Sequence, residues 1–369
     1  MSRLTRRRGG GDDRGAVIVL VAILLGAGVI TGLLATVADL GRVYAERRVV
    51  QNGADAAALA LAQHCAQADA NCTGTGHART AAVALADANA PDGRTAVTEV
   101  CGTGSMAQCL GGSGRWTDCR AVDPSVSNYV RVRTATEAAD GTPALTPIFA
   151  QLLDPGVVLA TGACAQAAWG AATTALVTFP ILLPICPGVP GGPPVVIARF
   201  DSSSPEREWT DCTVDGVAYP HVTSGFSWTR YSGQADLCVT PVSVSIGDVL
   251  ENYTSDPSAC GPGQRTTDAL RALVDSGASS IVPVVGGHAA RGGLGEYLFT
   301  VVTFKAMTLV GFKVQGVGSY GAVPPSGWGA VGCGSGSSSC LYASFADAVV
   351  PGGTGGGMDL GVRSIALIP

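Results

Sequence analysis

Histidine is the side chain most often used as a general base near neutral pH. The chain has four, spread along the sequence at His64, His77, His221 and His288. No HExxH or HxE pattern gives any of them the spacing that binds zinc and activates water. His64 lies in a helical pattern, whereas His77 and His288 lie in glycine-rich surroundings typical of solvated loops. The histidines therefore predict neither a metal site nor a catalytic base.

One glycine pattern, Gly316-x-Gly318-x-x-Gly321, has the spacing of a dinucleotide-binding fingerprint. That fingerprint needs a following helix whose amino terminus holds the pyrophosphate. Pro324 and Pro325 come next instead, so the pattern indicates a loop. The chain also lacks a GxSxG nucleophile elbow and a GxxxxGK[ST] phosphate loop. The sequence therefore predicts no cofactor.

Paired carboxylates are another way to build a hydrolytic site, as in glycosidases. Two acidic pairs have a suitable spacing, Glu206 with Glu208 and Asp211 with Asp215. Scattered acids on an acidic surface are the commoner origin of such pairs. We therefore expect a protein that is not an enzyme and has no small-molecule substrate.

Twelve cysteines, from Cys65 to Cys340, all follow the apolar segment described below. An even number on the exported side of a membrane predicts a set of at least three disulfides. The absence of any C-x-x-C pair argues against zinc knuckles and thioredoxin-like redox chemistry. Their connectivity stays open, and some cysteines would instead be buried as free thiols. The simplest local pair is Cys333 with Cys340, across a glycine/serine loop.

The charges are distributed unevenly. The tail at residues 1–15 holds five arginines, and the remainder of the chain is acidic, with two lysines in all, Lys305 and Lys313. Nothing in this distribution supplies the basic patch that phosphate contacts need. The composition therefore excludes nucleic acid as a partner.

The elements that would position any site begin with an uncharged run of 23 residues, Ala16–Ala38. As a helix this run is ~35 Å long, enough for a hydrocarbon core of roughly 30 Å. We predict a transmembrane helix at 16–38, with the basic tail at 1–15 in the cytoplasm. A cleaved secretory signal is the main alternative, but the run is too long for it and Thr36-Val37-Ala38 is a poor cleavage site.

The pattern then changes without a helix stop. Residues 39–68 become charged and later alanine-rich, and no proline occurs before Pro91. We predict that one uninterrupted helix leaves the membrane as a stalk, with Arg14 at the inner boundary and Asp39 and Arg42 at the outer one. A narrow apolar stripe on the stalk would pack either on a neighbouring subunit or on the chain's own outer domain.

The rest of the chain predicts an α+β fold. Helix 78–89, strands 94–100 and 129–134, a short helix at 148–153 and strand 157–169 form a small α+β unit within residues 69–170. Residues 171–369 form a β-rich, disulfide-containing outer domain, because β-branched or aromatic runs punctuated by glycine and proline dominate it. The strands predicted there are 174–183, 195–200, 237–246, 280–285, 297–304, 308–314 and 362–368. Its one convincing helix covers 266–275, and residues 186–194 form a linker.

Several short motifs occur in a fixed order between Arg14 and His64. They are Arg14-Gly15-Ala16, Asp39-Leu40-Gly41-Arg42, Glu46-Arg47-Arg48, Gln51-Asn52 and Ala54-Asp55-Ala56-Ala57-Ala58-Leu59-Ala60. Together they resemble the amino-terminal region of Tad/Flp pilus-assembly proteins of the TadE/TadG-like class. Farther on, residues 224–228, the cysteines at 212, 238 and 260, and the segment EYLFTVVTFKAMTLVGFKVQG resemble the carboxy-terminal region of larger TadG-like proteins.

This resemblance implies a membrane-anchored structural component of a Flp-type pilus or related secretion apparatus in the bacterial cell envelope. It implies a single-pass protein of the cytoplasmic membrane, with its amino terminus inside and its outer domain docking to protein subunits of the complex. Related pseudopilins resemble type IV pilins in having a glutamate five residues into the mature helix. Leu20 stands at that distance from Gly15, so pilin-type processing is not expected. A membrane-tethered exported hydrolase and a surface adhesin or sensor remain the alternative hypotheses.

Overall fold

The computed structural model describes the chain in ranges separated by gaps. These ranges are 13–26, 28–67, 72, 75–110, 118–145, 147–153, 156–186, 191–200, 209–223, 225–230, 241–253, 264–290, 297–315, 318–329, 333, 339–351 and 358–368. Most of the basic tail predicted at 1–15, and the acidic pair Glu206 and Glu208, lie outside the described residues.

Five helices occur in the described ranges: α1 (Asp13–Gly26), α2 (Val29–Ala66), α3 (Thr75–Ala88), α4 (Ala150–Leu153) and α5 (Gln264–Ser276). Gly28, between α1 and α2, has φ of 72°, in the left-handed region that glycine adopts at helix ends. The prediction of one uninterrupted helix is therefore wrong at this point, because a left-handed residue cannot continue a right-handed helix. No helix in the described part of the chain combines the length and the apolarity that crossing a bilayer requires.

Strands occupy most of the remaining described chain. In order they are β1 (Thr95–Gly102), β2 (Tyr129–Thr136), β3 (Gly162–Ala171), β4 (Thr174–Val177), β5 (Ile181–Pro184), β6 (Val195–Ala198), β7 (Trp209–Val214), β8 (Val217–Thr223), β9 (Ser227–Arg230), β10 (Val242–Ser245), β11 (Val249–Tyr253), β12 (Ser279–Ala290), β13 (Tyr297–Val314), β14 (Gly318–Gly321), β15 (Cys340–Ala346), β16 (Ala348–Pro351) and β17 (Val362–Ile368). The predicted α+β class, with a β-rich carboxy-terminal region and disulfides, is confirmed.

The first sheet, which we call the proximal sheet, has the strand order β1-β2-β3-β17-β16. Helices α2 and α3 share a core with it that includes Val130 and Val132 of β2. Strand β17 pairs antiparallel with β3, so that Ile365 lies opposite Trp169. The last described strand thus returns to the sheet next to α2, although the sequence analysis placed it in the outer domain.

The second sheet, the distal sheet, has the order β11-β9-β5-β12-β13-β15-β6, and β14 also pairs with β13. Strand β11 bonds to β13 as well as to β9, which closes β11, β9, β5, β12 and β13 into a ring. β5 is buried at every position, with Ile181 and Leu183 in one core and Leu182 in another. This continuous burial explains why β5 reads as an uninterrupted apolar run. Two small antiparallel sheets, β4 with β10 and β7 with β8, complete the fold.

Contacts near β17 join the two sheets. The Lys305 ammonium of β13 donates to the Leu360 carbonyl at 2.6 Å, and the Thr303 hydroxyl donates to the Met358 carbonyl at 2.6 Å. Lys305 is buried, so the hydrogen bond to a carbonyl offsets part of the cost of desolvating its charge. The segment between β16 and β17, two strands of the proximal sheet, is therefore held against β13 of the distal sheet.

Five disulfides join described cysteines. They are Cys65–Cys72, Cys101–Cys109, Cys119–Cys164, Cys186–Cys212 and Cys333–Cys340. The pair suggested from the glycine/serine loop, Cys333 with Cys340, is thus present, with its Cα atoms 6.2 Å apart. Cys238 and Cys260 lie outside the described residues.

Candidate functional site

The first feature of the site is an exposed apolar projection, which we call the arm. It consists of α1 and the part of α2 up to Ala38. Its large side chains are in contact with solvent along its length; Leu33 and Leu34 are 64% exposed and Val37 is 67% exposed. In the described part of the chain these side chains form an apolar surface that is exposed to solvent.

The second half of α2 behaves in the opposite way. From Val50 onward its small apolar residues are buried against the proximal sheet and α3, and Ala54, Ala57 and Leu61 have no exposed surface. Gly53 faces Ala86 of α3 so closely that a Cβ at residue 53 would lie 3.2 Å from the Ala86 Cα. The lower part of the predicted stripe therefore packs on the chain's own domain.

The upper part of that stripe remains open. Leu40 and Tyr44 are exposed on α2, between the arm and the buried half. The small-residue spacing of the stripe accounts for the close packing from Val50 onward, whereas Leu40 and Tyr44 before it are exposed in the described structure. Packing of this exposed segment on a neighbouring subunit stays a prediction.

Asp39 marks the junction between the arm and the folded body, and the residue is 6% exposed. It accepts hydrogen bonds from the backbone amides of Ile148 (2.9 Å), Phe149 (3.0 and 3.3 Å) and Ala150 (2.7 Å). The Ala150 amide is the first of α4 and the other two directly precede that helix, so Asp39 caps α4 from a position distant in the sequence. We call this arrangement the Asp39 clamp.

The clamp also sets the charge state of Asp39. Burial acts to raise the pKa of the carboxyl, but the amides of Ala150, Ile148 and Phe149 stabilise the carboxylate and the Arg42 charge adds to them. The net result is a pKa below the ordinary 3.8. Asp39 is therefore ionised at neutral pH while its oxygens are occupied by backbone donors.

Glu46, seven residues farther along α2, shows the opposite shift. Burial raises the pKa of its carboxyl above the ordinary 4.5, and the nearby charge of Asp92 raises it further. The Arg42 charge and a hydrogen bond with Thr136 act in the other direction. Glu46 thus reaches from α2 to β2, at some cost to its ionised form.

Polar contacts continue this attachment along α2. Gln51 donates to the Asp55 carboxylate at 2.8 Å and to the Cys164 carbonyl of β3 at 3.3 Å. The Thr134 hydroxyl of β2 donates to the Val50 carbonyl at 2.8 Å. These bonds fix the register of α2 on the proximal sheet at the point where burial begins.

The remaining motif residues are divided between exposed and packed positions. Gly15, Gly41, Arg42 and Asn52 are exposed, Arg47, Asp55 and Ala56 are half-buried, and Ala54 is buried. The side chain of Arg14, in α1, lies outside what the structure describes. The placement of Arg14, Asp39 and Arg42 at membrane boundaries stays a prediction.

Sequence reasoning missed the clamp. The residues that donate to Asp39 come more than one hundred positions later, and nothing in their pattern names a partner for their amides. Pro147 and the apolar residues after it indicated the short helix, but they did not indicate its contact with Asp39. Asp39 at the end of the uncharged run gave no indication of these donors, because its burial depends on the tertiary fold.

The histidines and the glycine pattern are placed differently from the expectation. His77 lies in α3 and His288 in β12 rather than in loops, because the flanking segments complete regular hydrogen-bonded elements. Gly318–Gly321 forms strand β14 on β13 instead of a loop. Among the described residues, no three His, Cys, Asp or Glu side chains come close enough to hold a metal ion.

A cavity of about 360 Å³ lies beneath the segment that precedes β2. Arg131, which is buried, lines it and donates to the Gln166 side chain at 3.1 Å and to the Leu110 carbonyl at 3.1 Å. Its other polar lining groups include Asp123 and Tyr129, and none of the described lining residues is a histidine or serine.

Comparison with known proteins bears on the segment that contains the arm and the clamp. No curated protein and no solved structure matches the chain. The resemblance noted at residues 224–228 and in the later segments has no match and stays a prediction. A family model described as putative Flp pilus-assembly TadE/G-like matches residues 15–64, and this confirms the resemblance found there in the sequence.

Proposed function

We propose that the protein is a structural component of a Flp-type pilus-assembly or related secretion apparatus, anchored in the cytoplasmic membrane by the arm. The observation that carries this proposal is the exposed apolar arm, joined to a folded α+β body within the segment that matches the pilus-assembly family. A role in docking rather than catalysis is part of the proposal.

The physical case for the membrane is the exposure of the arm. Burying one large aliphatic side chain contributes roughly 1.5–3 kcal/mol, and many such side chains of the arm are exposed to solvent. A bilayer would cover all faces of the arm at once. The uncharged run of 16–38 supplies the length that a bilayer needs across both helices together.

The turn at Gly28 is compatible with this environment. Lipid offers no hydrogen bonds, so backbone groups there must find partners within the protein. The Gly28 amide donates to the Leu25 carbonyl at 3.1 Å, and the Gly32 amide donates to the Gly28 carbonyl at 2.8 Å. The two helices of the arm would thus enter the bilayer with the backbone at the turn still bonded.

Orientation follows from charge and cysteine chemistry. The arginines of the tail would remain in the cytoplasm by the positive-inside rule. The five disulfides would lie beyond the membrane, in the oxidising compartment where such bonds persist. Both sheets would then be available to subunits of the apparatus outside the cytoplasm.

The test is to express tagged full-length protein in its own cells, solubilise the membranes and identify co-purifying proteins. We expect pilus-assembly or secretion subunits, and we expect deletion of the gene to reduce surface pili or secretion. A variant with Leu33→Glu and Leu34→Glu should leave the membrane fraction, since each charge costs about 2.5–3.5 kcal/mol at a bilayer centre. Gln63→Glu, at an exposed position of α2 beyond the arm, is the matched control and should behave as wild type.

A protein that purifies alone, and whose deletion leaves pili and secretion unchanged, would contradict the assembly role. Full retention of the Leu33→Glu and Leu34→Glu variant in the membrane fraction would contradict anchoring by the arm.

A further inference from the structure

Two neighbouring apolar side chains outside the arm are also exposed. Ile148 is 56% exposed and Phe149 is 39% exposed, and both precede α4. Single exposed apolar residues are ordinary on protein surfaces, but an adjacent branched aliphatic and aromatic pair forms a patch. We call this pair the shoulder.

The Asp39 clamp fixes the position of the shoulder. The amides that bond to the Asp39 carboxylate, at 2.9 Å and at 3.0 and 3.3 Å, belong to Ile148 and Phe149 themselves. The shoulder is therefore held beside α2 at the level where the uncharged arm ends. A loop tied by its own backbone to the end of the arm cannot change its height along the helix without breaking these bonds.

The segment that carries the shoulder is uncharged. Residues 142–153 include no Asp, Glu, Lys or Arg. Asp39 is buried, and its carboxylate is occupied by backbone donors. The exposed Arg42 lies one turn farther along α2, on the side away from the arm. The chain thus places an uncharged, apolar loop at the end of the arm and a basic residue beyond it.

We propose that the shoulder inserts into the membrane interface beside the arm, so that Ile148 and Phe149 lie at the boundary between headgroups and acyl chains. This inference rests on the proposed membrane anchoring and adds a second lipid contact to it. Apolar side chains of interfacial segments enter roughly 5–10 Å into this boundary. The arm and the shoulder together would make two contacts with the membrane. Two contacts define the orientation of the body relative to the membrane plane, which the arm alone does not.

The test uses the full chain reconstituted into vesicles of phosphatidylethanolamine and phosphatidylglycerol. Single cysteines replace Phe149, Ile148, Leu25 in the arm or Val323 in an exposed segment after β14, and each is labelled with bimane under non-reducing conditions. Wild-type protein treated in the same way measures background labelling. Part of the lipid carries bromine either close to the headgroups or near the chain ends, and quenching of bimane reports contact with each depth.

We expect shallow bromine to quench labels at Phe149 and Ile148 several-fold more than the label at Val323. The label at Leu25 should be quenched by both lipids. The Ile148→Cys variant is a second probe of the shoulder, in case the label at residue 149 disturbs the loop. Circular dichroism verifies the fold of each variant.

Quenching at Leu25 together with Val323-like values at Phe149 and Ile148 would overturn the shoulder and leave the arm in the membrane; contact of the shoulder with a protein partner instead would give this result. Absence of quenching at Leu25 would overturn the anchoring itself.

Discussion

At the scale of single residues, two carboxylates of α2, Asp39 and Glu46, have opposite effects on folding. Asp39 accepts four backbone contacts from three amides and has a lowered pKa, whereas Glu46 is half-buried and has a raised one. A motif residue that looked like a boundary marker in the sequence thus also has a structural role. This role was not predictable, because it depends on a loop brought back by the tertiary fold.

Asp39→Ala should lower the melting temperature of the detergent-solubilised protein by several degrees, and Asp39→Asn should lower it less. Alanine removes all acceptors of the clamp, whereas asparagine keeps one oxygen but loses the charge that the amides stabilise. Asp268→Asn, at an exposed position of α5, is the control and should leave the melting temperature unchanged. Equal melting temperatures for Asp39→Ala and Asp268→Asn would show that the clamp does not stabilise the body.

The stabilisation by Asp39 should also depend on pH. A carboxyl whose pKa is lower in the folded state contributes stability above its unfolded value, here near 3.8, and loses it as the pH falls through the folded value. The difference in stability between wild type and Asp39→Asn should therefore be constant near neutral pH and shrink below about pH 4. Urea titrations at several pH values measure it, and a difference that grows in acid would contradict the assignment.

Glu46→Gln should change the stability in the opposite direction to Asp39→Asn at neutral pH. Its raised pKa means that ionisation opposes folding once the pH exceeds the unfolded value near 4.5. The variant should therefore be more stable than wild type at neutral pH and equal to it in acid. The same urea titrations measure this, and a variant that is less stable at pH 7 would indicate that the contact with Thr136 outweighs the burial.

At the scale of elements, the local sequence pattern predicted whether a segment is a helix or a strand. It did not predict where one element is interrupted or where two predicted elements join. The alanine-rich composition of residues 39–68 predicted helix, which α2 forms there up to Ala66, and the helix predicted at 78–89 corresponds to α3. The sequence showed no reason to stop at Gly28, because glycine inside an apolar run is also ordinary in membrane helices. Likewise 297–304 and 308–314 were predicted as two strands but form β13, whose pairing with β12 bridges them.

Two glycines of α2 with different surroundings, Gly53 and Gly41, provide a matched pair. Gly53→Ala should destabilise the protein by about 1 kcal/mol, because the new methyl meets the Ala86 backbone at 3.2 Å, which cannot move aside. Gly41→Ala has no atom within 4 Å of the added Cβ and should stabilise by about 0.5–1 kcal/mol through helix propensity. Chemical denaturation of both variants measures these changes, and a stabilised Gly53→Ala would show that α2 and α3 lie farther apart.

At the scale of the whole molecule, the path of the chain was the part least accessible to sequence reasoning. Residues 362–368 were correctly predicted as a strand, but their pairing with β3 places them in the proximal sheet. Strand pattern specifies which face is buried and not which edge is joined. The division at residue 170 therefore stays a prediction about folding units, although strands from both sides of it share one sheet.

Deletion of residues 362–369 should consequently destabilise the unit next to the arm. Removing β17 leaves the β3 edge, from Gln166 to Ala171, without its antiparallel partner. Limited proteolysis should then cleave within residues 95–171 faster than in wild type. Unchanged protection of that segment, with faster cleavage confined to the distal sheet, would contradict this.

The central claim is that the arm is embedded in the membrane and the disulfide-bonded body lies outside. Its most direct measurement is labelling of single cysteines at Gly15, Leu25 and Asn52 with an impermeant maleimide on spheroplasts under non-reducing conditions. Asn52 is exposed on α2 beyond the clamp, whereas Leu25 lies in the arm. The account predicts labelling at residue 52 alone, with residue 15 becoming reactive after permeabilisation and residue 25 staying unreactive. Labelling at residue 15 without residue 52 would invert the topology, and labelling at residue 25 would show that the arm is in water.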